Sequence, residues 1–199
     1  MTRPAYAIRA AGVGCGLAGL TFFGDLALHR VSPLLGRGYY PVAALVGIGF
    51  AVAAFGVRRV AVGARGWPRA LGAAGAAFAA LGALLWLAAF ALLAVRPGAR
   101  FTQKLTPGGS LLLALGMLAL GAAVLGSRRA SGWRRAAPLL VGAYFPLQLV
   151  LQLAFFLGGR DGVPGPRGEL LGAWGLLWAW LGVGLATGPA GRPEGRAPA

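Results

Sequence analysis

The sequence contains few groups whose types and spacing could do chemistry, and the first are Asp25 and His29. They lie four residues apart, and Thr21 precedes Asp25 by the same interval. Residues four apart share one face of a continuous helix, so Asp25 could orient and charge His29 as an acid–base pair or a proton relay. The alternative is structural: the pair caps a helix end and meets interfacial water. The spacing alone leaves both interpretations open.

A second polar group repeats at the same interval later in the chain. Tyr144, Gln148 and Gln152 fall at i, i+4 and i+8, and Pro146 lies among them. An unsatisfied amide in hydrocarbon costs several kcal/mol, so both glutamines must face the interior of a bundle or a wet cavity. Pro146 also frees the carbonyl of Gly142. The stripe predicts either the wall of a pocket or hydrogen bonds between helices.

The last of these groups is a carboxylate, Glu169, at the start of the final apolar segment, where it also suits a helix N-terminus. The topology derived below brings these groups towards the same side of the membrane. We therefore expect a polar, water-accessible cavity that opens outward. Its candidate residues are Asp25, His29, Tyr144, Gln148, Gln152 and Glu169.

Composition shows what kind of fold must position these groups. Of the 199 residues, 58% are hydrophobic and only 12% are charged, whereas soluble domains are about 45–50% apolar and about 25% charged. Mean hydropathy is +0.72. These values exclude a disordered chain, a disulfide scaffold and an ordinary globular enzyme. They indicate an integral membrane protein.

The charges leave six long uncharged stretches, and all but the first reach the roughly 20 residues needed to cross about 30 Å of hydrocarbon as a helix. The first covers 10–24 and continues as apolar sequence beyond Asp25, so a helix over 7–28 would also span, with Asp25 about one turn inside its end. The expected fold is an all-α bundle of six transmembrane helices, because barrel strands would alternate in polarity. The transmembrane domain covers 1–187, and the Pro- and Gly-rich segment 188–199 is expected to be a disordered cytoplasmic tail. The predicted spans are 7–28, 38–57, 70–95, 105–127, 136–159 and 170–187.

Orientation follows from the basic residues in the loops. Twelve lie on the side of the two termini and seven on the other, with net charges of +11 and +4. Both termini are therefore expected in the cytoplasm, with aromatic residues such as Tyr39 and Trp67 near the ends of the spans. The net charge of +15 records this orientation and does not indicate a nucleic-acid partner. Abundant Gly, Ala, Arg and Pro without any Asn suggest a GC-rich bacterial genome, and hence the plasma membrane.

Two arginine-rich loops resemble each other, which raises the question of an internal repeat. Gly66-Trp67-Pro68-Arg69 in one is matched by Gly132-Trp133-Arg134-Arg135 in the other. One interpretation is that the bundle is built from repeated helical hairpins. The other is that the biased composition produced the match by chance. Small residues such as Gly12 and Gly16 allow helices to approach closely, either within the bundle or in a homo-oligomer.

The remaining observations limit the chemistry. The single His and single Cys exclude bis-His haem ligation and a zinc cluster, and no nucleotide or hydrolase motif is present. We therefore assign no catalytic residue, metal or cofactor; the expected partners are the lipid bilayer and either a second copy or a membrane complex. The first hypothesis is a non-enzymatic membrane subunit, accessory or sensing protein. The alternatives are a small carrier with an outward-opening polar cavity and an enzyme acting on a lipid, with Asp25 and His29 as acid and base.

Overall fold

A computed structural model of the chain describes residues 3–61, 66–96, 101–127, 132–158 and 168–187, which are helical and contain no strand. Six of the helices in these ranges are long and apolar enough to cross a membrane, which confirms the expected six-helix membrane bundle. A short α2 and a 3₁₀ turn, Gly36–Gly38, lie between the first two long helices. The helices are α1 (Arg3–Leu26), α2 (Val31–Leu35), α3 (Tyr39–Ala61), α4 (Trp67–Val95), α5 (Thr102–Ser127), α6 (Trp133–Gly158) and α7 (Gly168–Thr187).

Five of the six long helices begin two to four residues before the predicted span, at Arg3, Trp67, Thr102, Trp133 and Gly168. The α4 and α6 helices start at Trp67 and Trp133, each three residues before the predicted span. Their first turns include Arg69 in α4 and the paired arginines of α6. A charge marks where a chain leaves hydrocarbon, whereas a helix continues into the interfacial region while its backbone hydrogen bonds are satisfied.

The long helices form a closed ring built from two tight pairs. The α1 helix packs along α7, and α4 packs along α5, more extensively than any other neighbours. On one side α3 bridges α1 and α4; on the other α6 bridges α5 and α7. Both pairs depend on residues without a side chain. A Cβ atom on Gly12 would lie 2.5 Å from the backbone nitrogen of Ala186, and one on Gly75 would lie 2.7 Å from the carbonyl oxygen of Gly116.

Aromatic rings fill the middle of the bundle. Phe50 stacks on Trp178 with ring centroids 4.3 Å apart, and Trp174 and Trp86 both meet Phe50 at longer range. The indole nitrogen of Trp174 donates a hydrogen bond of 2.7 Å to the carbonyl oxygen of Val141. Trp86, Trp174 and Trp178 are almost completely buried. Large rings packed this way form a rigid layer between the two ends of the bundle.

Candidate functional site

A cavity of about 260 Å³ lies at one end of the bundle, close to the lower limit of ordinary ligand pockets, about 300 Å³. We call this end, formed by the C-termini of α1, α4 and α6 and the N-termini of α3, α5 and α7, the cavity end; the opposite end is the closed end. All six long helices contribute to the wall. One lining residue from each, in chain order, is Asp25, Tyr39, Trp86, Ser110, Gln148 and Leu171.

The carboxylate of Asp25 is held at the cavity by a tyrosine from the next long helix. The hydroxyl of Tyr39 donates a short hydrogen bond to Oδ2 of Asp25. The turn after α1, the short α2 and the 3₁₀ turn return the chain so that Tyr39 begins α3 beside Asp25. The Tyr39 ring also meets Phe90 edge-on, with centroids 6.2 Å apart. Asp25 thus receives a hydrogen bond from Tyr39, and no basic side chain among the described residues bonds to it.

The two glutamines of α6 form the second polar part of the wall. The Nε2 atom of Gln152 donates a hydrogen bond to Oε1 of Gln148, one helical turn earlier. Gln148 is completely buried, and its own Nε2 has no hydrogen-bond partner. A buried amide without a partner costs about 1–3 kcal/mol. This group can recover that free energy by donating to an acceptor inside the cavity.

The rest of the wall is mainly apolar, with isolated hydroxyl groups. The indole nitrogen of Trp86 donates a hydrogen bond of 3.2 Å to the hydroxyl of Ser110. Phe22, Phe145 and Trp86 form the side of the cavity that faces the aromatic centre of the bundle. A ligand that fits would therefore be mostly apolar, with polar groups at few positions.

The structure brings three of the six candidate residues together at this cavity: Asp25, Gln148 and Gln152. Tyr144 lies outside the lining, where its hydroxyl donates a hydrogen bond of 2.9 Å to the carbonyl oxygen of Leu170 and so joins α6 to α7. Glu169 is exposed in the first turn of α7.

His29 is separated from Asp25 by the end of the helix. The α1 helix stops at Leu26, so the i, i+4 relationship does not apply. His29 lies in the following turn at φ 49°, exposed and next to the start of α7 at Gly168. Asp25 instead bonds to Tyr39. The helical spacing that would place His29 beside Asp25 therefore does not hold in this structure, and the role of the pair stays a prediction.

Several wall residues were missed by sequence reasoning. Tyr39 was assigned to the aromatic belt at the membrane surface, and Ser110 was not considered, although an isolated hydroxyl within a span also needs a partner. Trp86 resembles any other large core residue in the sequence. Its polar contact depends on Ser110, which lies 24 residues away on the next helix.

Among the described lining residues, the ionisable groups that contact each other are Asp25 and Tyr39. The described residues hold no group of three His, Cys, Asp or Glu side chains that could bind a metal ion. The class of protein defined by the fold is a polytopic helical membrane bundle, here with an internal cavity lined by a carboxylate, amides and aromatic rings. No protein-family model, curated protein or solved structure matches the chain.

Proposed function

We propose that this chain is a membrane-embedded binding protein for a small amphiphilic molecule, acting as a sensor or accessory protein. The observation that carries the proposal is Gln148, which is completely buried, lines the cavity and has an amide nitrogen without a partner. A buried amide facing an apolar cavity is favourable only when a guest or a water molecule accepts its hydrogen bond.

The exposed part of the wall supports access from the bilayer. Among the described lining residues, Pro107 on α5 and Leu149 on α6 are exposed, and the others are partly or fully buried. Both residues fall within candidate membrane spans on neighbouring helices. An opening beside them faces lipid tails, so a ligand would first partition into the membrane and then enter between α5 and α6.

The arrangement favours binding over the alternative of lipid-directed catalysis. General acid–base catalysis needs two groups within hydrogen-bond reach of the reacting atoms. Asp25 lines the cavity, but His29 is exposed outside it. The Tyr39 phenol also lines the cavity, but its hydroxyl is engaged by the Asp25 carboxylate. The amides and the aliphatic hydroxyls of the described wall orient a ligand without transferring its protons.

Three fluorinated probes of similar size test the binding proposal. Neutral 4-fluorobenzyl alcohol, cationic 4-fluorobenzyltrimethylammonium and anionic 4-fluorophenylacetate are titrated into purified protein in a non-ionic detergent and followed by ¹⁹F NMR. We expect at least one probe to bind saturably. Ala43→Phe should abolish that binding, because Ala43 is buried in the cavity wall. Leu45→Phe is the matched control, since Leu45 faces outward on the same helix.

Both outcomes of this experiment are informative. Binding that survives Ala43→Phe, or the absence of saturable binding by all three probes, would overturn the proposal. Because a large residue at position 43 could also disturb packing, Gln148→Leu provides a second variant of nearly unchanged volume. It should weaken binding of a probe that carries an acceptor oxygen, such as 4-fluorobenzyl alcohol, at least about fivefold, the value of a lost neutral hydrogen bond of roughly 1 kcal/mol. The trimethylammonium probe has no acceptor for this amide and does not test the bond.

A carrier is the second candidate function, and the prolines beside the opening favour it. Pro107 lies inside α5 and Pro146 inside α6, next to the exposed lining residues. Pro146 leaves the carbonyl of Gly142 without its helical partner, which makes a bend at this point easier. If α6 moves during transport, Pro146→Ala should slow exchange of a bound probe at least about tenfold while leaving its affinity within about threefold. Equal exchange rates in the two proteins would exclude this gate.

We further propose that the chain lies in a bacterial plasma membrane with both termini in the cytoplasm. The charge difference between the two sides supports this orientation. A green fluorescent protein fused to the C-terminus should fluoresce, whereas alkaline phosphatase at the same position should be inactive. The reverse pattern would contradict the orientation without affecting the binding proposal.

A further inference from the structure

We propose that the ligand is a small organic cation, an amine or quaternary ammonium compound with an apolar body, and that Asp25 is its counter-charge. This inference rests on the proposed binding function and specifies its ligand. Its basis is the position of the Asp25 carboxylate, which has no basic partner among the described residues, beside a continuous aromatic wall in the same cavity.

The charge of Asp25 is not balanced by the described surroundings. None of the described lining residues is basic. Arg30, Arg96 and Lys104 lie at the same end of the bundle, but all three are exposed and none bonds to Asp25. The hydroxyl of Tyr39 stabilises the carboxylate without neutralising it. A carboxylate facing an apolar cavity attracts a cation more strongly than it would in water, because the local dielectric constant is low.

Aromatic rings extend from the carboxylate across the cavity. The chain of contacts runs from Tyr39 to Phe90 at 6.2 Å, from Phe90 to Trp86 at 5.7 Å and from Trp86 to Phe22 at 5.6 Å between centroids. All four residues line the cavity. Ring faces attract ammonium groups, most strongly when water is excluded. The wall therefore suits the substituents of a quaternary or protonated amine, which are apolar but carry positive charge.

Gln148 adds a second requirement on the ligand. Its unpartnered amide nitrogen is a donor, so it complements a carbonyl, ether or hydroxyl oxygen and not the ammonium group itself. A neutral ligand would leave Asp25 without a counter-charge, and an anion would be repelled by it. The wall thus favours a cation that also carries one acceptor oxygen.

The same three probes test this inference by their order of affinity. We expect 4-fluorobenzyltrimethylammonium to bind at least about tenfold more tightly than 4-fluorobenzyl alcohol, and 4-fluorophenylacetate to bind most weakly. Asp25→Asn keeps the shape of the side chain and removes its charge. It should lower the affinity for the cation at least about tenfold while changing that for the alcohol by less than about threefold.

Glu169→Gln is the matched control, because it removes an exposed carboxylate from the same end without altering the cavity wall. It should leave all affinities within about twofold. Asp25→Glu, which keeps the charge, should retain preference for the cation. The probe order in the unmodified protein needs no variant, so it decides the question even if Asp25→Asn does not fold.

The outcomes separate this inference from the proposed function. If the alcohol or phenylacetate binds more tightly than the cationic probe at a site that Ala43→Phe blocks, the inference that the ligand is a cation is wrong. The proposed binding function would still hold. Equal affinity of Asp25→Asn and the unmodified protein for the cation would lead to the same conclusion. If no probe binds at that site, both proposals fail together.

Discussion

The two ends of the bundle use similar residues for opposite purposes. At the closed end, the ring of Trp67 covers Gly126 on α5, and that of Trp133 lies against Gly184 on α7. At the cavity end, Trp86 and Tyr39 leave a space of about 260 Å³ beside them. Aromatic side chains thus cover neighbouring helices at one end and line a cavity at the other. Ring–glycine contacts occur at both ends, because a Cβ atom on Gly109 would lie 2.5 Å from the Trp86 ring. The cavity end differs in the volume left beside its rings.

Hydrogen bonding shows the same contrast. At the closed end, Arg135 donates a bond of 2.6 Å to the carbonyl oxygen of Leu125, and Arg134 reaches Thr187. These contacts satisfy carbonyls at the C-termini of α5 and α7 and place positive charge where helix dipoles favour it. At the cavity end, Asp25 has no cationic partner among the described residues, and the amide nitrogen of Gln148 has none of any kind. The Nε atoms of Arg134 and Arg135 also lack partners, so unpartnered donors occur at both ends, and the cavity end differs because its donor belongs to a residue of the cavity wall.

The two arginine-rich loops, which are similar in sequence, also end in similar turns at the closed end of the bundle. Gly66 and Gly132 both have positive φ, 72° and 62°. In each case the amide of the third following residue, Arg69 or Arg135, bonds to the glycine carbonyl at 3.2 Å. Matching turns agree with a repeated hairpin, and duplication of the hairpins stays a prediction.

The largest effect is expected where the closed end depends on a backbone contact. Gly12→Ala would put a Cβ atom 2.5 Å from the backbone nitrogen of Ala186, whereas Gly14→Ala meets nothing within 4 Å. The first should lower the free energy of unfolding by about 2–3 kcal/mol, because two backbones must separate. The second should have no such cost. Unfolding in mixed micelles of SDS and non-ionic detergent measures both; equal stability of the two variants would show that α1 and α7 are not tightly paired.

A smaller effect is expected from the arginines that follow the two turn glycines. Arg135→Ala removes a charged donor from the carbonyl of Leu125, whereas Arg69 occupies the matching position but is exposed. We expect Arg135→Ala to reduce the free energy of unfolding by about 1.5 kcal/mol and Arg69→Ala by less than about 0.5 kcal/mol. The same unfolding assay applies. Similar losses in both variants would mean that Arg135 acts through general surface charge and not through its hydrogen bond.

At the cavity end, we expect a substitution to raise the free energy of unfolding instead of lowering it. Gln148→Leu removes a buried amide without a partner, at the cost of the hydrogen bond from Gln152. The free energy of unfolding should rise by about 0.5–1 kcal/mol, since the lost bond within the membrane contributes only about 0.6 kcal/mol. A decrease of more than about 1 kcal/mol would show that the amide stabilises the fold and would weaken its assignment to a ligand.

The smallest effect concerns His29. Because it is exposed and has φ 49°, His29→Asn preserves a residue type that tolerates this backbone conformation. Stability should change by less than about 0.5 kcal/mol, and the affinity of any bound probe by less than about twofold. Loss of probe binding in ¹⁹F NMR would show that His29 contributes to the site, which would support the interpretation of Asp25 and His29 as an acid–base pair.

The number of helices could be predicted from sequence because charged side chains are excluded from hydrocarbon. Every long gap between charges corresponds to a helix, and the helices extend a few residues into the charged segments, as at Arg69, Lys104, Arg134 and Arg135. The polar stripe of α6 was also visible, because two amides at helical spacing within a span require partners. Asp25 was identified for the same reason, as an ionisable residue near the end of a span.

The composition of the site was decided only by tertiary structure. Tyr39 reaches Asp25 because the chain turns back after Leu26, and the same turn removes His29. Which helices meet depends on glycine contacts over long sequence separations, such as Gly12 against Gly182, and local spacing carries no information about them. The sequence by itself determined that the chain crosses a membrane six times and that a few polar groups must avoid lipid. Packing decided which of those groups face each other, which face an empty volume, and which face neither.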